Sequence, residues 1–193
     1  MSEKPVAVLF ARSDSVYKSL PGCDVYDIDR DAMTFEGGMP VIAHPPCRSW
    51  GRLAHRANPR PGERKLALWA VDQVRQWGGV LEHPYGSRLW KEKPLPPPGR
   101  RDEFGGFTMV VSQWWFGHKA EKMTMLYICG TTMRQVPDIE LKLGEPEFVV
   151  AMSRKNHLKK KEISKADRER TPQRFAEFLL AIARSCKGAS DNG

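Results

Sequence analysis

Cys47 is the residue of this chain best placed for covalent chemistry. It ends the tetrapeptide His44-Pro45-Pro46-Cys47, which directly follows the apolar run Pro40-Val41-Ile42-Ala43. The run predicts a buried strand, and two successive prolines fix the backbone of the turn after it. Ligands of open α/β sheets bind at the carboxyl ends of the strands, so a thiol here would face a cleft and could act as a nucleophile. A buried, inert thiol is the alternative interpretation, because free cysteine is commonly buried.

Glu82 ends the next predicted strand, Val80-Leu81-Glu82. Apolar residues at helical spacing predict a helix over 63–77, and Gly78-Gly79 stops it before that strand. A strand, a helix and a second strand in this order form a parallel pair, which would bring the Glu82 and Cys47 side chains to the same rim. A structural carboxylate paired with an arginine is the alternative for Glu82.

The remaining elements complete an α/β pattern in one domain of 193 residues. Segment 85–107 is rich in Pro, Gly and charge, which predicts a long surface excursion. The last helix begins after Thr171-Pro172 and aligns apolar residues on one face. The other predicted strands are Val6 to Phe10, Asp24 to Asp29, and a pair formed by Thr108 to Trp115 and Lys122 to Cys129 around Phe116-Gly117-His118.

These pieces, in this order, resemble the cytosine-C5 DNA methyltransferase family. Pro45-Pro46-Cys47 is similar to the nucleophile motif of that family, and Leu81-Glu82-His83-Pro84 stands where the family has Glu-Asn-Val. Val8-Leu9-Phe10 with its turn resembles the first strand and cofactor loop, and 27–32 resembles the acidic motif of the second strand. Residues 116–123, running into 126–130, look like the Gln-x-Arg-x-Arg segment and the strand after it.

The resemblance implies a Rossmann-like, methyltransferase-type α/β fold of three layers, with a mostly parallel sheet and an antiparallel strand pair in the C-terminal half. It also implies S-adenosylmethionine-dependent modification of a cytosine in DNA or in a nucleotide. Carbon 5 of a pyrimidine is a poor nucleophile, so Cys47 would first add to carbon 6 while Glu82 serves as the acid at N3. The residues expected to hold the cofactor are Phe10, Ser13, Asp14, Asp27 and Pro45.

Two departures from the family pattern concern the cofactor site. The loop after the first strand, 11–15, has no glycine, although a backbone that approaches a ligand closely usually needs one. About ten residues separate Asp29 from Pro40, fewer than a helical crossover takes, which predicts a sheet that lacks one edge strand. Asp27 could hydrogen-bond a ribose, and a plain turn or helix-capping role is an equal alternative.

The charge of the chain, +8 at pH 7, is typical of proteins that bind nucleic acid. A basic segment, 154–161, is interpreted either as a solvated run or as a phosphate-binding one. A series of arginines follows Cys47 and interleaves with Trp50 and His55, which favours stacking and phosphate contact with single bases. The expected substrate or nucleic-acid contacts are Arg48, Trp50, Arg52, His83, His118, Lys119 and Lys122, with Arg56 and Arg60 continuing the arginine series.

Two other function classes stay open. His44, Cys47, His83 and His118 all lie near predicted strand ends and could converge on a metal ion, although their spacing matches no common zinc motif. A non-catalytic nucleic-acid-binding module on a degenerate methyltransferase fold is the third hypothesis; the cofactor loop favours it, and retention of both Cys47 and Glu82 argues against it.

The four cysteines, Cys23, Cys47, Cys129 and Cys186, are far apart and form no CxxC pair, so free thiols are expected. No stretch approaches the roughly 20 apolar residues of a membrane span, and the N-terminus lacks a signal-peptide core. We therefore expect a cytoplasmic protein without a membrane partner.

Overall fold

The computed structural model describes residues 3–51, 54–151 and 160–189. Its main sheet has six strands in the order β2-β1-β3-β4-β6-β5. The strands are β1 Val6–Leu9, β2 Cys23–Val25, β3 Val41–Ala43, β4 Gly79–Pro84, β5 Phe107–Ser112 and β6 Met123–Cys129. Strands β2, β1, β3 and β4 are parallel neighbours, and β6 pairs antiparallel with both β4 and β5. The α/β class, the mostly parallel sheet and the antiparallel pair are confirmed.

Within the described ranges, four α-helices accompany the sheet: α1 Glu63–Trp77, α2 Leu89–Glu92, α3 Lys165–Glu169 and α4 Gln173–Ser185. Helix α1 packs against β3, β4 and β6, and α4 packs against β4, β3 and β1. Successive side chains of a strand point to opposite faces of the sheet, so alternate residues contribute to two different hydrophobic cores. Ala43 and Leu81 join the core under α1, whereas Ile42 and Val80 join the core under α4. The sheet is thus covered on both faces.

Gly78 and Gly79 make the sharp exit from α1 into β4. Gly78 has a φ of 74°, and Gly79 has a φ of 128°. A Cβ on Gly79 would lie 2.0 Å from the Val41 carbonyl oxygen of the neighbouring strand, so only glycine fits there. The two glycines that predicted the end of the helix therefore also allow β4 to pair closely with β3.

The connections after β1 and β2 contain only short 3₁₀ helices, Val16–Ser19 and Ala32–Thr34. Strand β2 ends at Val25, earlier than the predicted 24–29, because Asp27 turns the chain by accepting hydrogen bonds from the Asp29 and Arg30 amides at 3.0 and 3.2 Å. Strand β2 is one edge of the described sheet, and no described strand lies between β2 and β3 in the chain.

The segment 85–107, for which the sequence predicts a surface excursion, contains one short helix and is anchored to the domain by two leucines. Helix α2 lies within it, with Leu89 fully buried and Leu95 8% exposed, and both contribute to the core under α1. Apolar side chains spaced along a Pro-rich segment anchor it to the domain. A separate two-stranded sheet, β7 Phe148–Val149 with β8 Lys161–Glu162, lies in the C-terminal part.

Candidate functional site

The site lies at the rim where the parallel strands end. Ala43 of β3 pairs with Leu81 of β4, so the following residues, His44 and Glu82, are also neighbours. The end of β4 lies beside the start of β6, because Pro84 pairs with Thr124. The loop between β5 and β6, 113–122, therefore reaches the same rim as the Cys47 loop. Five chain segments thus meet here, counting the loops after β1 and β2.

Cys47 is exposed at this rim, on a turn whose Cys47 carbonyl accepts hydrogen bonds from the Trp50 and Gly51 amides at 3.0 and 3.1 Å. Protein nonetheless surrounds the thiol closely enough for desolvation to raise its pKa above the usual range. The negative charge of Glu82 raises this pKa further, whereas the ammonium of Lys122 lowers it. The thiol is therefore protonated at neutral pH, and Glu82 and Lys122 share its electrostatic environment.

The Glu82 carboxylate receives one hydrogen bond on each oxygen. The ring Nδ1 of His44 lies 3.1 Å from Oε2, and Nε2 of Gln113 donates to Oε1 at 3.1 Å. Desolvation raises the pKa of Glu82, but the His44 hydrogen bond and the charge of Lys122 outweigh it and lower the pKa to about 2. Glu82 is thus an ionised acceptor. Its side chain is 12% exposed, so a ligand can reach it.

The other ring nitrogen of His44 contacts Tyr17, which lies in the connection after β1. Its Nε2 lies 3.2 Å from the Tyr17 hydroxyl, and the two rings have centroids 5.6 Å apart. Burial and the charge of Glu82 hold the pKa of Tyr17 well above its usual range, so Tyr17 keeps its proton. Sequence reasoning missed Tyr17 and the contact between His44 and Glu82. The position of His44 directly before the Pro-Pro-Cys turn could have indicated that its ring lies at the rim, near Glu82.

Gln113 joins the site from the other side, and the sequence did not single it out. Besides Glu82, its Nε2 donates to the Thr124 hydroxyl at 3.0 Å. Its backbone amide donates to the Lys122 carbonyl at 3.0 Å, which ties the two ends of the 113–122 loop together. Lys122 is half-buried, and its ammonium makes no ion pair with the described residues. The candidate site therefore combines a thiol, a carboxylate and an ammonium.

Buried polar atoms without a hydrogen-bond partner in the described part of the chain are concentrated at this rim. They belong to the side chains of Trp50, His83, Ser112, Gln113 and His118, with Thr108 as the one further residue, near the start of β5. An unsatisfied buried polar group costs about 1–3 kcal/mol, so such groups are usually few and call for an explanation. Five of these six residues lie in β4, at the end of β5 or in the loops of this rim, so hydrogen-bonding groups without a protein partner are buried beneath it.

His83 and His118 were expected to contact substrate, and both are buried in the structure. Desolvation lowers the pKa of His83 to about 4, although the charge of Glu82 raises it, and the ring lies edge-on to Trp90 with centroids 6.4 Å apart. Neither ring nitrogen has a hydrogen bond of acceptable geometry among the described residues, although the Pro46 carbonyl is close enough to raise the pKa slightly. His83 therefore lies under the Cys47 turn as a neutral ring.

Trp50 was expected to contact bases, and its burial corrects this; Arg48 is exposed but is paired with a glutamate. Trp50 is fully buried, with the Arg64 guanidinium 4.0 Å from its ring centroid. Arg48 binds the buried Glu63 carboxylate through Nε at 3.0 Å and a terminal nitrogen at 2.5 Å. A buried carboxylate requires a paired cation, so Arg48 fixes the first turn of α1 to the Cys47 loop. Arg52 and the side chain of Arg56 lie outside the described residues.

The other basic residues are placed as follows. Lys119 is exposed and pairs with Asp167 of α3 at 3.1 Å. In the basic segment, 154–159 lies outside the described residues, and Lys160 pairs with Glu145 at 3.0 Å. Lys161 is exposed in β8. Among the predicted cationic contacts, Lys122 is thus the one that the described structure places beside Cys47 and Glu82.

The loop after β1 begins with a strained residue. Phe10 has a φ of 61°, the one positive φ of a non-glycine residue in the described chain, and its ring packs edge-on to Trp69 with centroids 6.0 Å apart. A bulky residue in this conformation is uncommon, and such residues cluster at functional sites. Ser13 and Asp14 are exposed, and Asp14 pairs with Arg12 at 2.8 Å. Pro45 is buried behind the Cys47 turn.

Asp27 has the turn role, which is one of the two alternatives that the sequence left open, and it also pairs with a lysine. Its Oδ1 forms the turn with the Asp29 and Arg30 amides, and its Oδ2 lies 2.6 Å from the Lys18 ammonium. These contacts, with that of Lys18 the largest, lower the pKa of Asp27, so it is ionised. Ile28, the next residue, is 65% exposed. A carboxylate with an exposed apolar neighbour thus lies at the end of β2.

No group of three or more His, Cys, Asp or Glu residues in the described ranges could hold a metal ion. Two surface cavities of about 350 and 320 Å³ lie beside β5 at Phe107–Val110 and between Trp115 and α4, and neither is lined by Cys47, Glu82 or Lys122. Within the residues described, none of the helices combines the length and the hydropathy needed to span a bilayer.

Comparison of the chain with protein-family models, with curated proteins and with solved structures finds no match. The functional interpretation therefore depends on the geometry of the rim.

Proposed function

We propose that the protein is an S-adenosylmethionine-dependent methyltransferase of the cytosine-C5 type, with Cys47 as its nucleophile. One observation carries the proposal: the thiol and the ionised Glu82 follow neighbouring parallel strands and share one electrostatic environment with Lys122. Cys47 is exposed and the Glu82 side chain is 12% exposed, so a ligand at this edge can reach both groups. The substrate is a cytosine ring in DNA or RNA, or in a free nucleotide.

In the proposed reaction the Cys47 thiol loses its proton to solvent, and Sγ bonds to carbon 6 of the ring. The C5–C6 double bond opens, and N3 takes up a proton as charge develops on the ring. S-adenosylmethionine would supply the methyl group that carbon 5 receives. Carbon 5 then loses its hydrogen as a proton, and the electron pair of that bond restores the double bond while Cys47 leaves as thiolate. N3 finally returns its proton to solvent, which gives the neutral methylated ring.

Glu82 has a different role in this reaction from the acid first expected. With a pKa of about 2 it carries no proton to donate in the unliganded protein. It can instead accept a hydrogen bond from protonated N3 and from the exocyclic amino group, and so stabilise the positive character of the ring as Cys47 adds. The positive charge of Lys122 favours the Cys47 thiolate, which is the reactive form.

The fold supports a methyltransferase-type architecture that lacks one edge strand. Strand β2 lies at the edge where the third strand of the family would pair, and the 25–41 connection contains a 3₁₀ helix in place of a strand. The antiparallel strand β6 lies between β4 and β5, next to the outer edge. Helices on both faces complete the three layers.

The residues at the ends of β1 and β2 fit S-adenosylmethionine in their chemistry. Among the residues that the structure describes, Oδ2 of Asp27 accepts only from Lys18, which leaves a lone pair for a ribose hydroxyl. The exposed Ile28 side chain offers an apolar surface for a flat ring. The left-handed turn at Phe10 redirects the chain at the end of β1, as a glycine would. Asp27, Ile28 and Phe10 are therefore the residues that would hold the cofactor.

The test is covalent trapping. Protein is incubated at pH 8.5 with S-adenosylmethionine and a single-stranded oligonucleotide that carries 5-fluorocytosine, because fluorine prevents the proton loss that releases the enzyme. We expect an adduct at Cys47 by peptide mass spectrometry, no adduct with Cys47→Ser, and an unchanged adduct with the matched thiol variant Cys23→Ser. Glu82→Gln should slow trapping by a larger factor than it weakens binding. The reason is that the hydrogen bonds from the ring to the Glu82 carboxylate strengthen in the transition state.

A non-catalytic module that binds nucleic acid is the second candidate. The raised pKa of Cys47 favours it, since a protonated thiol is a weak nucleophile, and the charge of +8 suits a polyanion. Retardation of oligonucleotides that weakens steeply with salt, without any adduct on DNA, RNA or nucleotide despite calorimetric binding of S-adenosylmethionine, would favour the module over the enzyme.

A further inference from the structure

Glu82 is held by two donors that arrive from different strands. His44, after β3, lies against Oε2, and Gln113, after β5, donates to Oε1, each at 3.1 Å. Each carboxylate oxygen has one fixed donor and one lone pair left. The remaining lone pairs belong to a side chain that is 12% exposed, so they are the part of Glu82 that a ligand meets.

The orientation of the Gln113 amide is fixed by its surroundings. Its Nε2 faces two acceptors, Glu82 Oε1 and the Thr124 hydroxyl, which lies 3.3 Å from the Lys122 carbonyl. A flipped amide would place its oxygen against an ionised carboxylate oxygen, which is repulsive. Gln113 is 1% exposed, so solvent does not relieve such a clash. Gln113 therefore acts on Glu82 only as a donor.

We propose that His44 and Gln113 are positioning residues that hold Glu82 as a pure hydrogen-bond acceptor, so that the site selects a 4-aminopyrimidine over a 4-oxopyrimidine. The inference rests on the proposed function and identifies two residues that determine its substrate class. A 4-aminopyrimidine offers Glu82 an amino group and a protonated N3. A 4-oxopyrimidine places an acceptor oxygen against the carboxylate, and a site built for a donor rejects such an analogue strongly.

Gln113→Glu is the most informative variant, because it replaces a donor by a nearly isosteric acid. Two carboxyl groups at hydrogen-bond distance do not both ionise, so the pair holds a proton. One of the two groups then becomes a donor, which suits the 4-oxo ring. A merely structural role of Gln113 would slow the reaction of both rings alike, whereas the positioning role changes their ratio.

The experiment measures adduct formation on two oligonucleotides that differ only in carrying 5-fluorocytosine or 5-fluorouracil, with S-adenosylmethionine present. We expect the wild-type protein to trap the cytosine at least about 100-fold faster. Gln113→Glu should reduce this ratio by about tenfold or more, whereas Gln76→Glu, the same change at an exposed position of α1, should leave it unchanged. Because the result is a ratio of rates, partial unfolding of a variant cancels.

His44 provides a second, independent pair of variants. His44→Phe removes the donor to Glu82 and should lower the ratio, whereas His44→Asn retains an N–H group near the position of Nδ1 and should preserve most of it. Equal trapping of both rings by the wild-type protein, or an unchanged ratio in both Gln113→Glu and His44→Phe, would overturn the inference while leaving nucleophilic addition intact. Absence of any adduct in the wild-type protein would instead refute the proposed function, and the inference with it.

Discussion

Two groups of buried charged and polar residues flank β4 and β6, and they differ in how far their hydrogen bonds are satisfied. At the rim, Glu82 is engaged by His44 and Gln113, but polar atoms around it lack partners among the described residues. Further toward the amino end of β4, the Tyr127 hydroxyl of β6 donates to Asp102 at 2.7 Å and accepts from Arg75 at 3.1 Å.

The second group, which we call the Asp102 cluster (Arg75, Asp102 and Tyr127), is closed. Arg75 also donates to Asp102 at 3.1 Å, and the other Asp102 oxygen accepts from the Phe104 and Gly106 amides. Phe104 covers the Arg75 guanidinium, whose carbon lies 4.1 Å from the ring centroid. A fully satisfied network rigidifies a fold, whereas a partly satisfied one leaves capacity for a ligand. The comparison assigns stability to the Asp102 cluster and ligand binding to the rim.

The largest effect on stability should come from breaking the closed group. Asp102→Ala leaves the Arg75 guanidinium, which is 13% exposed, without its carboxylate and two backbone amides without an acceptor. We expect a loss of about 3–5 kcal/mol in the free energy of unfolding, measured in urea. Asp14→Ala, which breaks an exposed pair with Arg12, should change the free energy of unfolding far less, because solvent screens the pair. Equal losses in the two variants would contradict the closed-cluster interpretation.

The next effect is a loss of stability in acid that originates at the rim. His83 is neutral and buried, and its pKa of about 4 lies below the usual 6.5. Between these values the unfolded chain binds the proton and the folded chain does not, so stability is complete above pH 6.5 and falls as the pH drops toward 4. The expected loss between pH 7 and 4.5 is about 2–3 kcal/mol. Urea unfolding at several pH values measures it.

His83→Gln should remove most of this slope, and a smaller slope of the same sign remains because burial also lowers the pKa of His118. His55→Gln, at an exposed position, is the matched control and should retain the wild-type slope. Glu82 also contributes to the loss of stability in acid, but only between pH 4.5, its usual pKa, and about 2, its pKa in the folded protein. Measurements above pH 4.5 therefore report on His83 and not on Glu82. A His83→Gln variant with the full wild-type slope would show that His83 is not the source.

Much of this comparison was visible in the sequence, but its decisive contacts were not. The apolar run before Cys47 and the Gly78-Gly79 stop predicted β3, α1 and β4, because these signals are local. The placement of β6 between β4 and β5 and the burial of Trp50 depend on contacts between distant segments, which local patterns do not encode. The same holds for Gln113, which is 31 residues from Glu82 in the chain.

The smallest predicted effect is a change in the reactivity of the Cys47 thiol, which tests whether the charges at the rim act on it. The charge of Glu82 raises the pKa of Cys47 and that of Lys122 lowers it. Glu82→Gln should therefore speed alkylation of Cys47 by iodoacetamide at pH 8, and Lys122→Gln should slow it, each by roughly two- to fivefold, since the thiolate is the reacting species. The rate is followed at the Cys47 peptide by mass spectrometry.

Lys119→Gln is the control for this measurement, because Lys119 is close in sequence but pairs with Asp167 and does not contribute to the shift of Cys47. Its alkylation rate should match that of the wild-type protein. If Glu82→Gln and Lys122→Gln changed the rate in the same direction, access to the thiol would control alkylation in place of charge. Opposite changes would mean that Cys47 responds to both charges at once, as a nucleophile between a carboxylate and an ammonium must.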